Sequence, residues 1–417
     1  MKVAVIGIGG IGYSWATLLA SLGYQVVGID KNSEAIKKPR TDRSVQELFR
    51  KNNSKIKKNL KLTTDYQQIK DSEIVFCTVN AWLDEKTQQL DLKPVQSVFE
   101  SVKKVIPKPT NIVVITTLPY GAWKTLSIIC DYCYIPQMVT QGIYIKGYIN
   151  PPFLIIGTES KRIQKQVESF YKDFFKKLKV KQPLTFFADY KTSEMAKLVA
   201  NAGPSMKITF ANAISAFCEK EGIDGNLILD AVGNDSRVGR GFLRPGYAYG
   251  GECLPKDMQA LITTLRQIFA DEPSKVTEFF ETINAINDER ILNPIKVLES
   301  QNLIGSGKKI AVLGLAYKAG ISDARSSPSV ILVEELKKLG VTVLTYDPNL
   351  SNQNKLNDLL RECNAVVVTT AEPEFRKLNI SGKNCKVVLD YANIVDPRYL
   401  PEQISFFKVS RGWLSRL

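Results

Sequence analysis

A cysteine near the middle of the chain lies in a glycine-rich turn with charged residues directly behind it. Residues 249–257 read Tyr-Gly-Gly-Glu-Cys-Leu-Pro-Lys-Asp, with the thiol at Cys253. Pro255 suits the first turn of a helix, and a helix N-terminus together with Lys256 favours a thiolate over a thiol. The chain contains no histidine, so a thiol is the best nucleophile available near neutral pH. We therefore predict that Cys253 is reactive.

The remaining cysteines are interpreted differently, because free cysteine usually behaves as a small buried hydrophobe. That interpretation also exists for Cys253, but the surrounding glycines and charges disfavour burial there. The spacing of Cys130 and Cys133 could suggest zinc, yet a zinc site needs a second pair or histidines. We expect no metal site. The cysteines predicted to pack are Cys77, Cys130, Cys133, Cys218, Cys363 and Cys385.

Composition limits the class of protein. A chain of 417 residues with 44% hydrophobic content can bury large cores in two or three domains. Met1 leads directly into an apolar strand, and no apolar run approaches the ~18 residues of a membrane span, so we expect a cytoplasmic protein without membrane insertion. The net charge of +14 comes from scattered lysines. We expect attraction for phosphorylated small molecules and no nucleic acid partner.

The first residues carry a dinucleotide-binding pattern. An apolar strand at 3–6 is followed by Gly-Ile-Gly-Gly-Ile-Gly at 7–12, a helical run, and a second strand at 25–29 that ends in Asp30. In this setting the glycines allow the tight turn, the approach of a pyrophosphate and close helix packing, while the acid binds the ribose hydroxyls. An acid here favours NAD over NADP. The predicted NAD-binding residues are Gly7, Gly9, Gly10, Ile11, Gly12 and Asp30.

Alternating strands and helices continue from this pattern, and they predict a parallel doubly wound sheet. Strands are predicted at 74–79 and 112–115, and ligands on such sheets bind beyond the carboxyl ends of the strands. This points to Thr78, Asn80, Thr116 and Thr117.

The alternation restarts after Gln301, with strands predicted at 309–315, 341–346, 365–369 and 387–389. This second Rossmann-like half keeps one glycine of the triplet. We expect it to hold a different phosphorylated ligand, with Lys318 and Arg325 as charge partners.

Between the two halves, residues from about 192 to 220 form the pattern of a long amphipathic helix, which Gly203-Pro204 should interrupt with a kink or the start of a new turn. Lys197 and Asn201 lie four residues apart and share one helix face. They could equally be a solvated lysine and an ordinary polar neighbour. The predicted fold class is α/β, with two Rossmann-like doubly wound parallel-sheet domains joined by a central helical region.

Together these motifs resemble one family, the UDP-glucose/GDP-mannose 6-dehydrogenases, which oxidise the C6 alcohol of a nucleotide sugar to a carboxylate. The resemblance implies an NAD-binding domain over 1–187, a central dimerisation and catalytic region over 188–300, and a UDP-binding domain over 301–417. It also implies a homodimer formed through the central helices. The motifs that carry it, in order, are the glycine pattern with Asp30; Thr117, Pro119 and Gly121; Lys197 to Asn201; 235–239; 250–257; 318–328; and 346–348.

The resemblance also implies roles for individual residues. Cys253 is the nucleophile, Lys197 and Asn201 stabilise charge on oxygen, and Asp257 positions or activates water. Thr117 is implied in both catalysis and cofactor binding, while Lys256 and Arg325 contact the cofactor. Arg237 would reach into the neighbouring subunit's site. The substrate-binding set is Gln137, Gln141, Lys197, Asn201, Arg237, Arg244, Tyr247, Tyr249, Gly250 and Lys318.

The chemistry of the residues agrees with these roles. NAD accepts one hydride at a time, so oxidation of an alcohol to an acid uses two cofactors in turn. Cys253 can capture the intermediate aldehyde as a thiohemiacetal, which loses the second hydride to become a thioester. Lys197 can stabilise the alkoxide of each stage, a contact worth about 3–4 kcal/mol in other enzymes.

Some positions depart from the family pattern. Gln137 and Gln141 stand where acids are usual, and glutamine cannot take a proton. Residues 81–82 read Ala-Trp in place of Thr-Pro, and 390–393 lack an arginine. The resemblance implies UDP-glucose as the first candidate substrate, with GDP-mannose or a UDP-N-acetylhexosamine as alternatives. Lys256 after Leu-Pro resembles the UDP-glucose and GDP-mannose branches more than the UDP-N-acetylhexosamine branch. A catalytically impaired nucleotide-sugar binder and a simple two-electron NAD dehydrogenase also stay open.

Overall fold

The computed structural model describes residues 1–39, 41–84, 86–106, 111–272, 274–350 and 354–414. The chain divides into two compact units, Met1–Val199 and Ala200–Leu417.

The first unit is built on an eight-stranded sheet with the strand order β3-β2-β1-β4-β5-β6-β7-β8. Neighbouring strands are parallel except β6 and β7, which pair antiparallel. The strands are β1 (Lys2–Ile6), β2 (Gln25–Ile29), β3 (Leu60–Thr63), β4 (Ile74–Cys77), β5 (Asn111–Val114), β6 (Tyr132–Tyr134), β7 (Leu154–Gly157) and β8 (Thr185–Ala188).

Helices cover both faces of this sheet, and two hydrophobic cores lie on its opposite sides. The central strands are therefore continuous apolar runs, as expected for a parallel sheet that is buried on both faces. The helices are α1 (Gly10–Ser21), α2 (Ser33–Lys37), α3 (Arg43–Asn59), α4 (Lys93–Val105), α5 (Trp123–Ile129), α6 (Tyr144–Ile149), α7 (Lys161–Leu178) and α8 (Tyr190–Glu221), with a 3-10 turn at Tyr66–Ile69.

The second unit contains a six-stranded sheet with the order β10-β9-β11-β12-β13-β14, parallel except for the last strand. Its strands are β9 (Lys309–Leu313), β10 (Thr342–Tyr346), β11 (Ala365–Val368), β12 (Val387–Asp390), β13 (Ser405–Lys408) and β14 (Gly412–Leu414). Its helices after α8 are α9 (Gly225–Gly233), α10 (Cys253–Ile268), α11 (Lys275–Ser300), α12 (Pro328–Lys338) and α13 (Leu356–Glu362), with 3-10 turns at Pro373–Arg376 and Pro397–Tyr399.

The two sheets repeat one polar arrangement where their first strands end. Thr78 Oγ lies 2.6 Å from the Gly7 carbonyl oxygen, and Thr369 Oγ lies 2.6 Å from that of Gly314. The predicted α/β class with two Rossmann-like sheets is confirmed. Each of the eight strands predicted from sequence is present, with ends that agree within two residues.

The long central helix is also confirmed. α8 continues through Pro204, so the new start predicted at Gly203-Pro204 is wrong, whereas the alternative of a kink there stays a prediction. Among the residues that the structure describes, none of the helices combines the length and apolar character that a bilayer crossing requires.

Candidate active site

The glycine loop after β1 has the shape that a dinucleotide requires. A Cβ on Gly12 would lie 1.9 Å from the Gly7 carbonyl oxygen and 2.3 Å from Thr78 Oγ, so only glycine lets α1 approach β1 and β4 this closely. By contrast, a Cβ on Gly9 would meet no atom within 4 Å, so the backbone is open to a ligand at that position. Gly9 is also the N-cap of α1 and has no side chain to satisfy the first amides of the helix.

Asp30 closes this loop from the end of β2. Its carboxylate accepts hydrogen bonds from the amides of Ile8 at 2.8 Å and Asn32 at 2.9 Å. The carboxylate thus lies beside the loop and next to the N-terminus of α1, where a pyrophosphate and its ribose would bind. The residues present fit a dinucleotide.

The carboxyl ends of β4 and β5 border the same edge. Thr78 is buried and bonded to the glycine loop, whereas Thr117 is half-buried in the turn after β5. Gly10 lies close to the Tyr144 ring, because a Cβ there would be 3.3 Å from the hydroxyl. Ile11 is half-buried, and its carbonyl accepts a hydrogen bond from the Tyr148 hydroxyl at 3.0 Å.

Lys197 lies in the same unit and is buried. Its Nζ donates to the carbonyl oxygen of Gln137 at 3.3 Å, so two residues of the predicted substrate-binding set are brought together. The Gln137 side chain is also buried, with Nε2 3.5 Å from the Tyr171 hydroxyl. Gln141 is half-buried in the following loop.

Cys253 is the first residue of α10, as its sequence predicts, and its side chain is exposed. The positive end of a helix favours negative charge at this position. Asp257 follows four residues later on the same helix face and is fully buried. One face of α10 therefore presents an exposed thiol and, one turn deeper, a carboxylate.

The Asp257 carboxylate is paired from two directions. Asn201 Nδ2 donates to one oxygen at 2.5 Å, and Lys256 Nζ lies 2.6 Å from the other. A buried carboxylate requires such partners. Three of the predicted residues therefore form one hydrogen-bonded group, with Asn201 one helical turn after Lys197 on α8.

The turn that carries Cys253 packs against the loop after β9. Gly251 has φ +81°, and a Cβ on it would lie 2.7 Å from the Tyr317 ring. Burial, together with the nearby Cys253 and Asp323, raises the pKa of Tyr317 to about 12. Arg325 pairs with Asp323 at 2.6 Å and also with Glu252. Its predicted cofactor contact, like that of Lys256, stays a prediction.

The glycine loop at 244–250 is held by side chains from two helices. Asn212 accepts from the Gly246 amide at 2.9 Å, and Asn287 accepts from the Tyr249 amide at 2.9 Å. Arg290 donates to the Gly246 carbonyl at 3.1 Å and forms a buried ion pair with Glu219 at 2.8 Å. These contacts fix the backbone of a loop that has no regular secondary structure.

Within that loop, the tyrosines point inward. The Tyr247 hydroxyl donates to the Ile291 carbonyl at 2.7 Å, and burial raises the pKa of Tyr249 to about 12. The predicted cations are exposed instead: Arg244 and Lys318 face solvent, and Arg237 pairs with Asp235 at 2.6 Å.

The other thiols follow the packing interpretation. Five of them are buried and Cys130 is half-buried. In the described part of the chain, no group of three or more cysteine, histidine, aspartate or glutamate side chains is arranged to hold a metal ion.

Sequence reasoning missed the residues that support the site rather than form it. Tyr317 and Glu252 adjoin predicted residues, and that adjacency was the available signal. Asn212, Asn287 and Arg290 gave no such sequence signal, because they lie 34 to 44 residues from the loop they bind.

Comparison with known proteins assigns this arrangement to a family. Three domain models of the UDP-glucose/GDP-mannose dehydrogenase family match in order: the NAD binding domain at residues 1–175, the central domain at 191–289 and the UDP binding domain at 311–397. The chain belongs to this family. The predicted resemblance and the NAD cofactor are confirmed, and the chain is a nucleotide-sugar dehydrogenase by family.

Individual relatives match over nearly the whole chain. UDP-glucose 6-dehydrogenase of Rhizobium meliloti is 29% identical over 94% of this chain and 95% of its own. UDP-N-acetyl-D-mannosamine dehydrogenase of Pyrococcus horikoshii is 27% identical over 99% of this chain and all of its own. The solved structure from P. horikoshii superposes with a TM-score of 0.85 at 27% identity, covering 99% of this chain and 100% of that one.

Substitutions at Gly12 and Gly9 distinguish a glycine that packing requires from one that is open to a ligand. Gly12→Ala should lower the free energy of unfolding of the ligand-free protein by roughly 1–3 kcal/mol, because its Cβ overlaps the Gly7 carbonyl. Gly9→Ala should change it by less than about 0.5 kcal/mol, since that position is open. Urea unfolding without cofactor measures both, and equal losses would contradict the described packing.

The buried Arg290–Glu219 ion pair, which holds the loop at 244–250, can be compared with an exposed ion pair. Arg290→Met should destabilise the protein by about 3–5 kcal/mol, because Glu219 would be left buried without its cation. Lys296→Met, which removes the cation of an exposed pair with Glu289, should cost about 0–1 kcal/mol. If urea unfolding gave similar values for both, the buried pair would not support the loop as described.

Proposed function

We propose that the chain oxidises the C6 alcohol of UDP-glucose to the carboxylate of UDP-glucuronate in two NAD-dependent steps. The observation that carries this proposal is the face of α10, where exposed Cys253 precedes buried Asp257 by one turn. Family membership supports the reaction class, and the exposed thiol supports an oxidation that continues past the aldehyde.

The first step converts the alcohol to an aldehyde. Bound NAD accepts hydride, and Thr117 is a predicted contact of the cofactor. The C6 hydroxyl loses its proton to solvent water, and the hydride of the C6–H bond would pass to the bound cofactor. The buried Lys197 ammonium stabilises the alkoxide that forms, and its hydrogen bond to the Gln137 carbonyl orients it. Asn201, which lies one turn further along α8, donates to the same oxygen in this scheme.

The second step uses the thiol covalently. The Cys253 thiolate adds to the aldehyde carbon, which forms a C–S bond and places a negative charge on oxygen. A second bound NAD would take the hydride from that carbon, and the Cys253 sulfur would then hold the acyl group as a thioester. Water then adds to the thioester carbonyl, the C–S bond breaks, and the carboxylate leaves as the thiolate is restored.

Asp257 is our candidate for handling the water proton. Gln137 and Gln141 cannot accept one, so the buried carboxylate on α10 is the acid–base group that remains in the proposed set. Its bonds to Asn201 and Lys256 fix its orientation.

The nucleotide sugar is bound, in this proposal, by the 244–250 loop, Lys318, Arg237 and the side chains of Gln137 and Gln141. UDP-N-acetylmannosamine is a second candidate substrate, because the P. horikoshii relative with that printed activity matches 99% of this chain. A non-catalytic binder or a two-electron dehydrogenase would leave the exposed thiol without a task.

We further propose three domains over 1–187, 188–300 and 301–417, and the three family matches fall within these ranges. A homodimer through the central helices is supported by exposed apolar side chains along α8 and α9: Met206, Phe210, Phe217 and Leu227. In that dimer Arg237 would reach the neighbouring subunit's site. A thiol nucleophile suits a reducing compartment, so we propose a cytoplasmic location.

The stoichiometry of NADH tests the reaction directly. Purified protein should form two NADH for each UDP-glucose consumed, and Cys253→Ala should form no acid, because neither thiohemiacetal nor thioester can form. Cys130→Ala, which removes a half-buried thiol with no proposed role, is the matched control. One NADH per sugar from the wild type, or acid formation by Cys253→Ala, would refute the four-electron reaction.

Nucleotide competition tests the substrate. UDP should inhibit NADH formation at lower concentration than GDP, and UDP-glucose should give a higher kcat/KM than UDP-N-acetylmannosamine. Preference for GDP would favour GDP-mannose, and a higher kcat/KM for the acetylated sugar would favour the second candidate. Either result would overturn UDP-glucose while keeping the reaction class.

A further inference from the structure

A buried glutamate connects α8 to the turn between β5 and α5. Glu194 is fully buried one helical turn before Lys197. Its Oε2 accepts a hydrogen bond from the Gly121 amide at 2.8 Å, and its Oε1 accepts one from the Trp123 amide at 2.9 Å. A single carboxylate therefore satisfies one backbone donor of the turn and one at the first residue of α5, 71 to 73 residues away.

This turn, residues 115–122, carries Thr117 and leaves the sheet at the edge where the glycine loop at 7–12 lies. β5 is two strands from β1, with β4 between them, and all three are parallel. Loops at the carboxyl ends of such strands form the ligand site of this sheet type. The position of the turn therefore bears on how the cofactor is bound.

The acceptor has to be a carboxylate for this contact. An ionised carboxylate only accepts hydrogen bonds, so both oxygens match amide donors, whereas an amide side chain would turn its NH₂ group toward one of them. Bonds to a charged acceptor are also the stronger kind.

We propose that Glu194 is a positioning residue that clamps the 115–122 turn and so sets the place of Thr117 relative to Lys197. The proposal rests on the proposed cofactor contact of Thr117. Glu194 does not touch the reacting atoms; it acts by holding the turn to the helix that carries Lys197.

The surroundings make this clamp sensitive to pH. Burial raises the pKa of Glu194 to about 7, and the amide bonds and the Tyr132 hydroxyl oppose that rise. The titratable or charged neighbours are Tyr132 on β6, Asp131 before it, Tyr190 at the start of α8, and Lys191, which lies over the Trp123 ring. A proton on one carboxylate oxygen removes an acceptor, so the turn is held above pH 7 and released below it.

Stability and binding should then respond to pH with opposite signs. Because the pKa of Glu194 is higher in the folded chain than its ordinary value, its contribution to folding is largest in acid and is lost as the pH rises toward 7. Cofactor affinity, in contrast, should rise over the upper part of the same range. A purely structural role would move both quantities in the same direction.

The test is NADH binding, measured by fluorescence between pH 6 and 8.5 on the full chain. Wild-type affinity should fall below pH about 7. Glu194→Gln should bind NADH about tenfold or more weakly at pH 8 and show no inflection. Glu168→Gln, which removes a half-buried carboxylate paired with exposed Lys172 on α7, should behave as wild type.

A second variant keeps the proposal testable if Glu194→Gln folds poorly. Tyr132→Phe retains the ring stack on Tyr190 but loses the hydroxyl beside Glu194, so the inflection should move to higher pH. An unmoved inflection, or wild-type NADH binding by Glu194→Gln, would overturn the clamp. NADH binding needs neither sugar nor thiol, so its outcome is independent of the NADH stoichiometry.

Discussion

Backbone that leaves a parallel sheet at its carboxyl edge has no further ladder partner, and the functional loops of this chain depend on how its amides and carbonyls are satisfied. Asp30 accepts from the Ile8 amide, and Asp347 accepts from the amides of Leu315 and Ala316 at the equivalent place in the second sheet. In both units a carboxylate after the second strand holds the loop after the first. Polar side chains thus shape each loop before any ligand arrives.

The second sheet shows which parts of this arrangement belong to folding and which to the cofactor. It keeps the carboxylate at Asp347 and the threonine at Thr369, but 314–317 reads Gly-Leu-Ala-Tyr. The retained polar residues satisfy the backbone, so the fold needs them. Tyr317 stands three residues after Gly314, where the first loop has Gly10 after Gly7, and its ring packs against the turn that carries Cys253.

The sequence predicted the fold where patterns are local. Continuous apolar runs identified the central strands, and the position of Cys253 at a helix start followed from the glycines and Pro255. The strands β3, β6, β7, β8, β13 and β14, each of three or four residues, were not predicted. The new helix start expected at Pro204 is absent because local propensity was outweighed by the rest of α8.

Contacts between distant residues could not be predicted in the same way. Asn201 and Asp257 were both predicted as site residues. No sequence pattern indicated that their side chains form a hydrogen bond, because they lie 56 residues apart. Arg290 and Glu194 have ordinary sequence surroundings, and only the folded chain brings them to the loops that they hold. What could be predicted was the set of chemical groups; their supports could not.

The close packing of the turn that carries Cys253 limits which substitutions the chain can accept there. A Cβ on Gly250 would lie 2.3 Å from Pro328 Cδ, and one on Gly251 would meet Tyr317. A larger residue at either position is therefore tolerated only with a compensating change near 317 or 328, more than sixty residues away. Substitutions at 250 and 251 should therefore be coupled to substitutions near 317 and 328, and covariation between these positions in related sequences would trace their contact.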